Sequence, residues 1–157
     1  MLRLNASLGR HRVLVTRPVP EQVVERLDTY FEVELCDGER PLRREELLSR
    51  LRQKVGVMIC ATDAIDADML RELRSLKAVC AMTEACDQVD LLALTQAGVM
   101  VTNAPKNADA RCPAHDVELE DSYAYVAAEN LIAAFGFGRI GGRPANLLNP
   151  ELLCDCC

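Results

Sequence analysis

Residues 55–61 read Val55-Gly56-Val57-Met58-Ile59-Cys60-Ala61, an apolar run with no charged or hydroxyl-bearing side chain. A strand of this kind has no face to offer to water, so it belongs inside a parallel sheet covered on both sides. Parallel neighbours cannot be joined by hairpins; each connection needs a crossover long enough for a helix. The flanking sequence supplies such units repeatedly. Val13-Leu14-Val15 is a short β-branched run before Arg17-Pro18, and Val23, Val24, Leu27 and Phe31 then fall on one helical stripe behind Pro20 and Glu21. Residues 32–36 (EVELC) alternate like an edge strand, and residues 43–52 place Leu47, Leu48 and Leu51 on one helical face.

The pattern continues beyond the central run. Asp66 is placed to cap a helix carrying Met69, Leu70, Leu73 and Leu76. Residues 78–82 form a fourth strand, residues 90–97 a fourth helix closed by Gly98, and residues 99–102 a fifth strand. A longer helix over 119–135 turns Tyr123, Val126, Ala127, Leu131 and Ala134 inward. Right-handed crossovers return each helix to the sheet. The expected architecture is therefore α/β and three-layered: a flavodoxin-like fold, with a five-stranded parallel sheet and helices on both faces. Ligands in such folds sit at the carboxyl ends of the strands, which directs attention to residues 16–20, 61–66, 83–87 and 103–106.

Composition narrows the partners. Eighteen basic against 24 acidic side chains leave a net charge of −6, the wrong sign for a phosphate-backbone binder, so nucleic acid is not an expected partner. No segment approaches the ~18–20 apolar residues that cross a bilayer, and residues 1–10 lack the apolar core of a secretion signal. No membrane association and a cytoplasmic location are expected. Of the eight cysteines, those at 36, 60, 80, 86 and 112 are scattered singly and read as free thiols. Cys154, Cys156 and Cys157 stand together; three sulfurs so close form a weak candidate for a soft metal, with a frayed chain end as the plainer reading. At 157 residues with half of them hydrophobic, one core is expected without staples.

Familiar occupants of such a fold fit poorly. A flavin phosphate needs a loop rich in N–H and hydroxyl donors, and Thr16-Arg17-Pro18-Val19-Pro20 loses two N–H groups to its prolines. A phosphoacceptor receiver domain needs an acidic pair for magnesium, and only Asp63 and Lys106 come near its roles. Gly136, Gly138 and Gly141 spell GxGxxG, yet the preceding residues read as helix where a strand is required, and Pro144 and Pro150 follow where a helix should begin. Too few residues follow Gly141 to reach the ribose-binding acid expected ~20 positions on. The three glycines read as a helix end and exit loop rather than cofactor ligands.

The order of motifs nevertheless resembles one family, the NAD-dependent D-isomer-specific 2-hydroxyacid dehydrogenases, with glyoxylate, hydroxypyruvate, phosphoglycerate and phosphite dehydrogenases among its relatives. One block carrying the resemblance runs from Arg12-Val13-Leu14-Val15-Thr16-Arg17-Pro18 through Asp63-Ala64-Ile65-Asp66-Ala67-Asp68-Met69-Leu70, Leu76-Lys77-Ala78-Val79 and Asp87-Gln88-Val89-Asp90 to Ala97-Gly98-Val99-Met100-Val101-Thr102-Asn103-Ala104-Pro105. The other is Ala127-Ala128-Glu129-Asn130-Leu131-Ile132-Ala133-Ala134, followed by Gly142-Arg143-Pro144-Ala145-Asn146-Leu147-Leu148-Asn149-Pro150. In that family the first block is the body of the substrate domain, the second returns to it, and a Rossmann-type nucleotide-binding domain lies between them. The resemblance thus implies one domain over 1–157: a substrate-domain body over 1–105, a reconnecting loop over 106–117 in place of the cofactor domain, a returning helix and tail over 118–150, and a cysteine-rich tail over 151–157.

The implied family reaction is hydride transfer between NAD(P)(H) and a 2-hydroxy or 2-oxo acid, for which this chain alone lacks the machinery. NAD or NADP is implied for full-length members, with no cofactor held by this chain. The family's substrate-binding arginine and its acid/base-orienting carboxylate belong to the missing domain and match no position here. His115, in Cys112-Pro113-Ala114-His115-Asp116, faintly resembles the family's acid/base histidine, although its register to the returning helix places that histidine near Arg111. The implied substrate-binding residues are Thr62 and the turn Thr83-Glu84-Ala85-Cys86-Asp87, where Ala85 or Cys86 stands in place of an expected glycine and Glu84 adds a negative charge beside an anion site. Cys86 reads either as a thiol activated at a helix N-terminus or, more simply, as a buried inert one. The implied partner is a small 2-hydroxy or 2-oxo acid, and a homodimer would rebury apolar surface uncovered by loss of the second domain. The alternative expectation is a small-anion-binding, regulatory or assembly module on the same fold.

Overall fold

A computed structural model describes residues 10–38, 40–105, 119–137 and 144–153. Gly138, Gly141, His115, the 106–117 loop, Cys112, Cys154, Cys156 and Cys157 lie outside the described residues. The chain alternates strand and helix in the order β1 (Arg12–Val15), α1 (Glu21–Asp28), β2 (Glu32–Leu35), α2 (Arg44–Leu51), β3 (Gly56–Ile59), α3 (Ala67–Leu70), β4 (Ala78–Ala81), α4 (Leu91–Gln96), β5 (Met100–Thr102) and α5 (Leu119–Ala134), followed by a 3₁₀ turn at Pro150–Leu153. The five strands form one sheet in the order β2-β1-β3-β4-β5, and each neighbouring pair is parallel. This is the flavodoxin-like arrangement expected from the strand–helix alternation.

Burial follows the patterning. β3 and β4 are buried at every residue, whereas β2, at the sheet edge, keeps Glu32 and Leu35 exposed. One core cluster, with Leu14, Val57, Ile59, Val79 and Ala81 from the sheet, packs under Leu47 and Leu51 of α2, Met69 of α3 and Leu94 of α4. The opposite face, with Val13, Val15, Met58 and Cys80, packs under Val23 and Leu27 of α1 and Ala124, Ala127, Ala128 and Leu131 of α5. Gly56 opens β3 to α5: a Cβ there would stand 2.7 Å from Leu131 Cδ1.

The third helix departs from expectation. Regular α-helix stops at Leu70, and the chain continues through Glu72 N–H to Met69 O, Leu73 N–H to Leu70 O and Leu76 N–H to Leu73 O, bonds spanning three residues instead of four. At about three residues per turn, Leu70, Leu73 and Leu76 share a side, so Leu73 and Leu76 are buried without an α-helix. α5 is also covered more broadly than a single stripe. Val126, Ala127 and Leu131 are buried as expected, Tyr123 and Ala134 only partly, and Asn130 and Ile132 are buried too.

Helix ends obey local chemistry. Asp66 and Asp90 cap α3 and α4 by accepting from Met69 N–H and Ala93 N–H, each at 3.0 Å. Gly98 and Gly136 close α4 and α5 with φ of 76° and 78°. In both, the glycine N–H and the next N–H bond back to the last turn, Gly98 to Thr95 O with Val99 to Leu94 O, and Gly136 to Ala133 O with Phe137 to Ile132 O. These are Schellman motifs, whose left-handed residue favours glycine.

The β5 edge is covered by the returning segment. Thr102 and Leu147 form an antiparallel bridge, and Leu148 N–H donates to Val101 O at 2.8 Å. Asn149, fully buried, accepts from Val101 N–H at 3.0 Å and donates to Val99 O at 2.8 Å and Thr95 Oγ1 at 3.1 Å. One side-chain amide thereby occupies edge groups that would otherwise be left unpaired.

Candidate functional site

The strand order reverses between β1 and β3, so the loops leaving these strands flank the crevice where such folds take ligands. Asp63, 2% exposed, lies there. Its Oδ2 accepts from Thr16 Oγ1 at the end of β1 and from Cys60 N–H at 2.9 Å beyond β3, and it lies 3.1 Å from Cys60 Sγ. Cys60 Sγ in turn lies 3.1 Å from Thr62 Oγ1. Asp63 Oδ1 is buried without a hydrogen-bond partner. The carboxylate thus pins the third loop to the first. The sequence singled out both loops but assigned Asp63 no role as their clasp, because the forty-seven residues separating it from Thr16 hide the contact.

Thr62, exposed, borders this cluster, whereas the other implied substrate residues form a separate turn beyond β4. Thr83 Oγ1 donates to Ala85 O at 2.6 Å, Ala104 N–H donates to Thr83 O at 2.8 Å, and Asn103 Nδ2 donates to Glu84 O at 2.9 Å. Glu84, Ala85 and Asp87 are exposed; Cys86 is half-buried against the core. Burial first, and then the charge of Asp87, raise the Cys86 thiol above its ordinary value. α4 begins five residues later, at Leu91. Cys80, fully buried behind Cys86, is pushed up to about 12 by desolvation. Among the described residues no three His, Cys, Asp or Glu side chains gather as a metal site.

The turn is tied to the rest of the fold by asparagines. Asn130 of α5, 3% exposed, donates from Nδ2 to Asn103 O and to Asn146 Oδ1, both at 3.2 Å, while Asn103 N–H donates to Asn146 O at 3.3 Å. A polar Asn130 beside Glu129, in the otherwise apolar segment Ala127–Ala134, was the available sequence signal for this junction.

Of the three glycines in the GxGxxG, Gly136 lies among the described residues. Gly136 terminates a helix, whereas a pyrophosphate-binding glycine leaves a strand and opens a helix toward the phosphates. No helix among the described residues is long and apolar enough to cross a membrane.

The model of the D-isomer specific 2-hydroxyacid dehydrogenase family, catalytic domain, matches residues 13–137. A glyoxylate reductase of Aeropyrum pernix is 38% identical over 98 residues, 62% of this chain and 29% of that protein. A glyoxylate reductase of Thermococcus onnurineus is 33% identical over 94 residues, 60% of this chain and 28% of the relative. A crystal structure of a protein from Thermus thermophilus is 37% identical with a TM-score of 0.56, covering 60% of this chain and 30% of that one. NAD⁺-bound 3-phosphoglycerate dehydrogenase of Entamoeba histolytica shares the fold at 20% identity and a TM-score of 0.53, over 62% of this chain and 34% of that one. The chain spans less than a third of the length of the curated relatives it matches. With the family's pattern extending over 13–137, most of its length, the chain belongs to the D-isomer-specific 2-hydroxyacid dehydrogenases, through their catalytic domain.

Proposed function

We propose that this chain is the substrate half of a 2-hydroxyacid dehydrogenase, presenting a 2-oxo or 2-hydroxy acid at the ends of its strands while a nucleotide-binding partner domain supplies the hydride chemistry. The observation that carries the reading is the junction at Asn103, Asn130 and Asn146: the exit from β5 and the returning helix α5 are hydrogen-bonded to each other. An inserted domain leaves from and returns to one folded body, so mutually bonded segments on either side of residues 106–117 fit such an origin, with those residues standing in its place. Thr62 and the 83–87 turn would meet the substrate carboxylate by hydrogen bonding, with Glu84 swung into solvent.

Acting alone, the chain is not competent for turnover. Hydride transfer needs a held nicotinamide, an anion-binding cation at the reacting carbonyl and a general acid, and Gly136 offers no dinucleotide cradle. The purified chain supplied with NADH or NADPH and glyoxylate or hydroxypyruvate should oxidise no cofactor. Replacing 106–117 by the nucleotide-binding domain of a relative should restore turnover. Turnover by the chain alone, or a folded chimera that binds NADH yet stays inactive, would refute the proposal.

A further inference from the structure

Three peptide carbonyls of the 83–87 turn each accept a hydrogen bond: Thr83 O from Ala104 N–H, Glu84 O from Asn103 Nδ2 and Ala85 O from Thr83 Oγ1. In a trans peptide the N–H points opposite its carbonyl, so each bond also sets the direction of the next residue's N–H, at Glu84, Ala85 and Cys86. The middle one depends on a side chain outside the turn. Asn103 is itself held from two directions, its carbonyl by Asn130 of α5 at 3.2 Å and its N–H by Asn146 of the returning segment at 3.3 Å. Asn130 is 3% exposed and spans both, donating also to Asn146 Oδ1. A buried amide with such partners has little freedom to reorient, because each abandoned bond leaves a desolvated group unpaired.

From this we infer that Asn103 and Asn130 are positioning residues for the turn: a relay of two side-chain amides aims its backbone N–H groups and links their direction to the seat of α5 and the returning segment. The inference deepens the proposed function and rests on its reading of the 83–87 turn as the anion site.

The isosteric Asn103→Asp variant removes the donor to Glu84 O while retaining size and the backbone bonds of residue 103. Backbone amide order parameters in the full chain should fall from about 0.85 toward about 0.6 at Glu84, Ala85 and Cys86, with Val57 and Val79 in the sheet unchanged. Asn130→Leu, which keeps α5 apolar, should loosen the same three amides. Titration with oxamate, followed by amide chemical shifts, should move these residues in the unaltered chain and need at least fivefold more oxamate in Asn103→Asp. Unchanged order parameters at the turn in Asn103→Asp overturn the relay, as does a fall spread evenly through the sheet. If oxamate moves no turn amide in the unaltered chain, the anion-site reading fails, while the order parameters still decide the relay.

Discussion

Gly56 tests how tightly α5 is seated on the sheet. Gly56→Ala would place a methyl group 2.7 Å from Leu131 Cδ1 and 3.3 Å from both Phe135 Cε2 and Val13 Cγ1, where ordinary contact begins at 3.4 Å. Leu131 and Val13 are completely buried, so the Leu131 methyl must retreat by about 0.7 Å inside a filled core. Overpacking of this kind destabilises by about 1–3 kcal/mol. Removing the glycine's freedom in the unfolded chain offsets about 0.5–1 kcal/mol. The net expectation is a loss of about 1 kcal/mol, seen as a lower urea midpoint at unchanged m-value and a fall in Tm of about 2–4 °C. The diagnostic is the same substitution in a Leu131→Ala background. There the added methyl enters vacated space, and its effect should reverse sign, a coupling of at least about 1 kcal/mol. Equal effects in both backgrounds, or a stabilised Gly56→Ala, would refute the packing argument.

Two further substitutions probe the polar framework. The Arg44 guanidinium, followed by Met69 N–H, holds the Asp66 carboxyl down to about 2. A depressed folded-state value contributes stability above the unfolded carboxylate range that is lost as pH falls from about 4 through 2. Because the Asp66 side chain is 42% exposed, solvent screening limits that contribution to under about 1 kcal/mol. Asp66→Asn should flatten this acid limb of a urea stability profile while keeping the helix cap, and an unaltered limb would contradict the assignment. Asn149→Ala leaves Val101 N–H and Val99 O without their partner under the β5 edge, and should destabilise by about 2–4 kcal/mol. A loss below about 1 kcal/mol in the same melts would show that water reaches that edge.

Much of the fold was legible from local chemistry. The apolar run through Val57, Met58 and Ile59 announced a strand covered on both faces, and the alternation in Glu32–Leu35 announced an edge. Asp66, Asp90 and Gly98 marked helix ends because capping depends only on neighbours within one turn. The same reasoning set Gly136 apart from a cofactor loop. Where the forecast slipped, at Leu73 and Leu76, a spacing of three served both a 3₁₀ path and an α-helix, and only packing against the sheet chose between them.

The candidate site divides along the same line. The residue types and order of the 83–87 turn, and the membership of a dehydrogenase family, are properties of the sequence, since chemistry in series along a strand exit can be read without folding the chain. The Asp63 clasp on Thr16, the Asn149 cover on β5 and the junction of Asn103, Asn130 and Asn146 are not. Each joins segments distant in the chain through a directional bond, and a polar side chain in an apolar stretch discloses a need for a partner without naming it. Local sequence therefore determined the strands, most of the helices and which loops leave the carboxyl end of the sheet. Tertiary structure alone decided which loops are fastened together, because that depends on where parallel crossovers bring their ends.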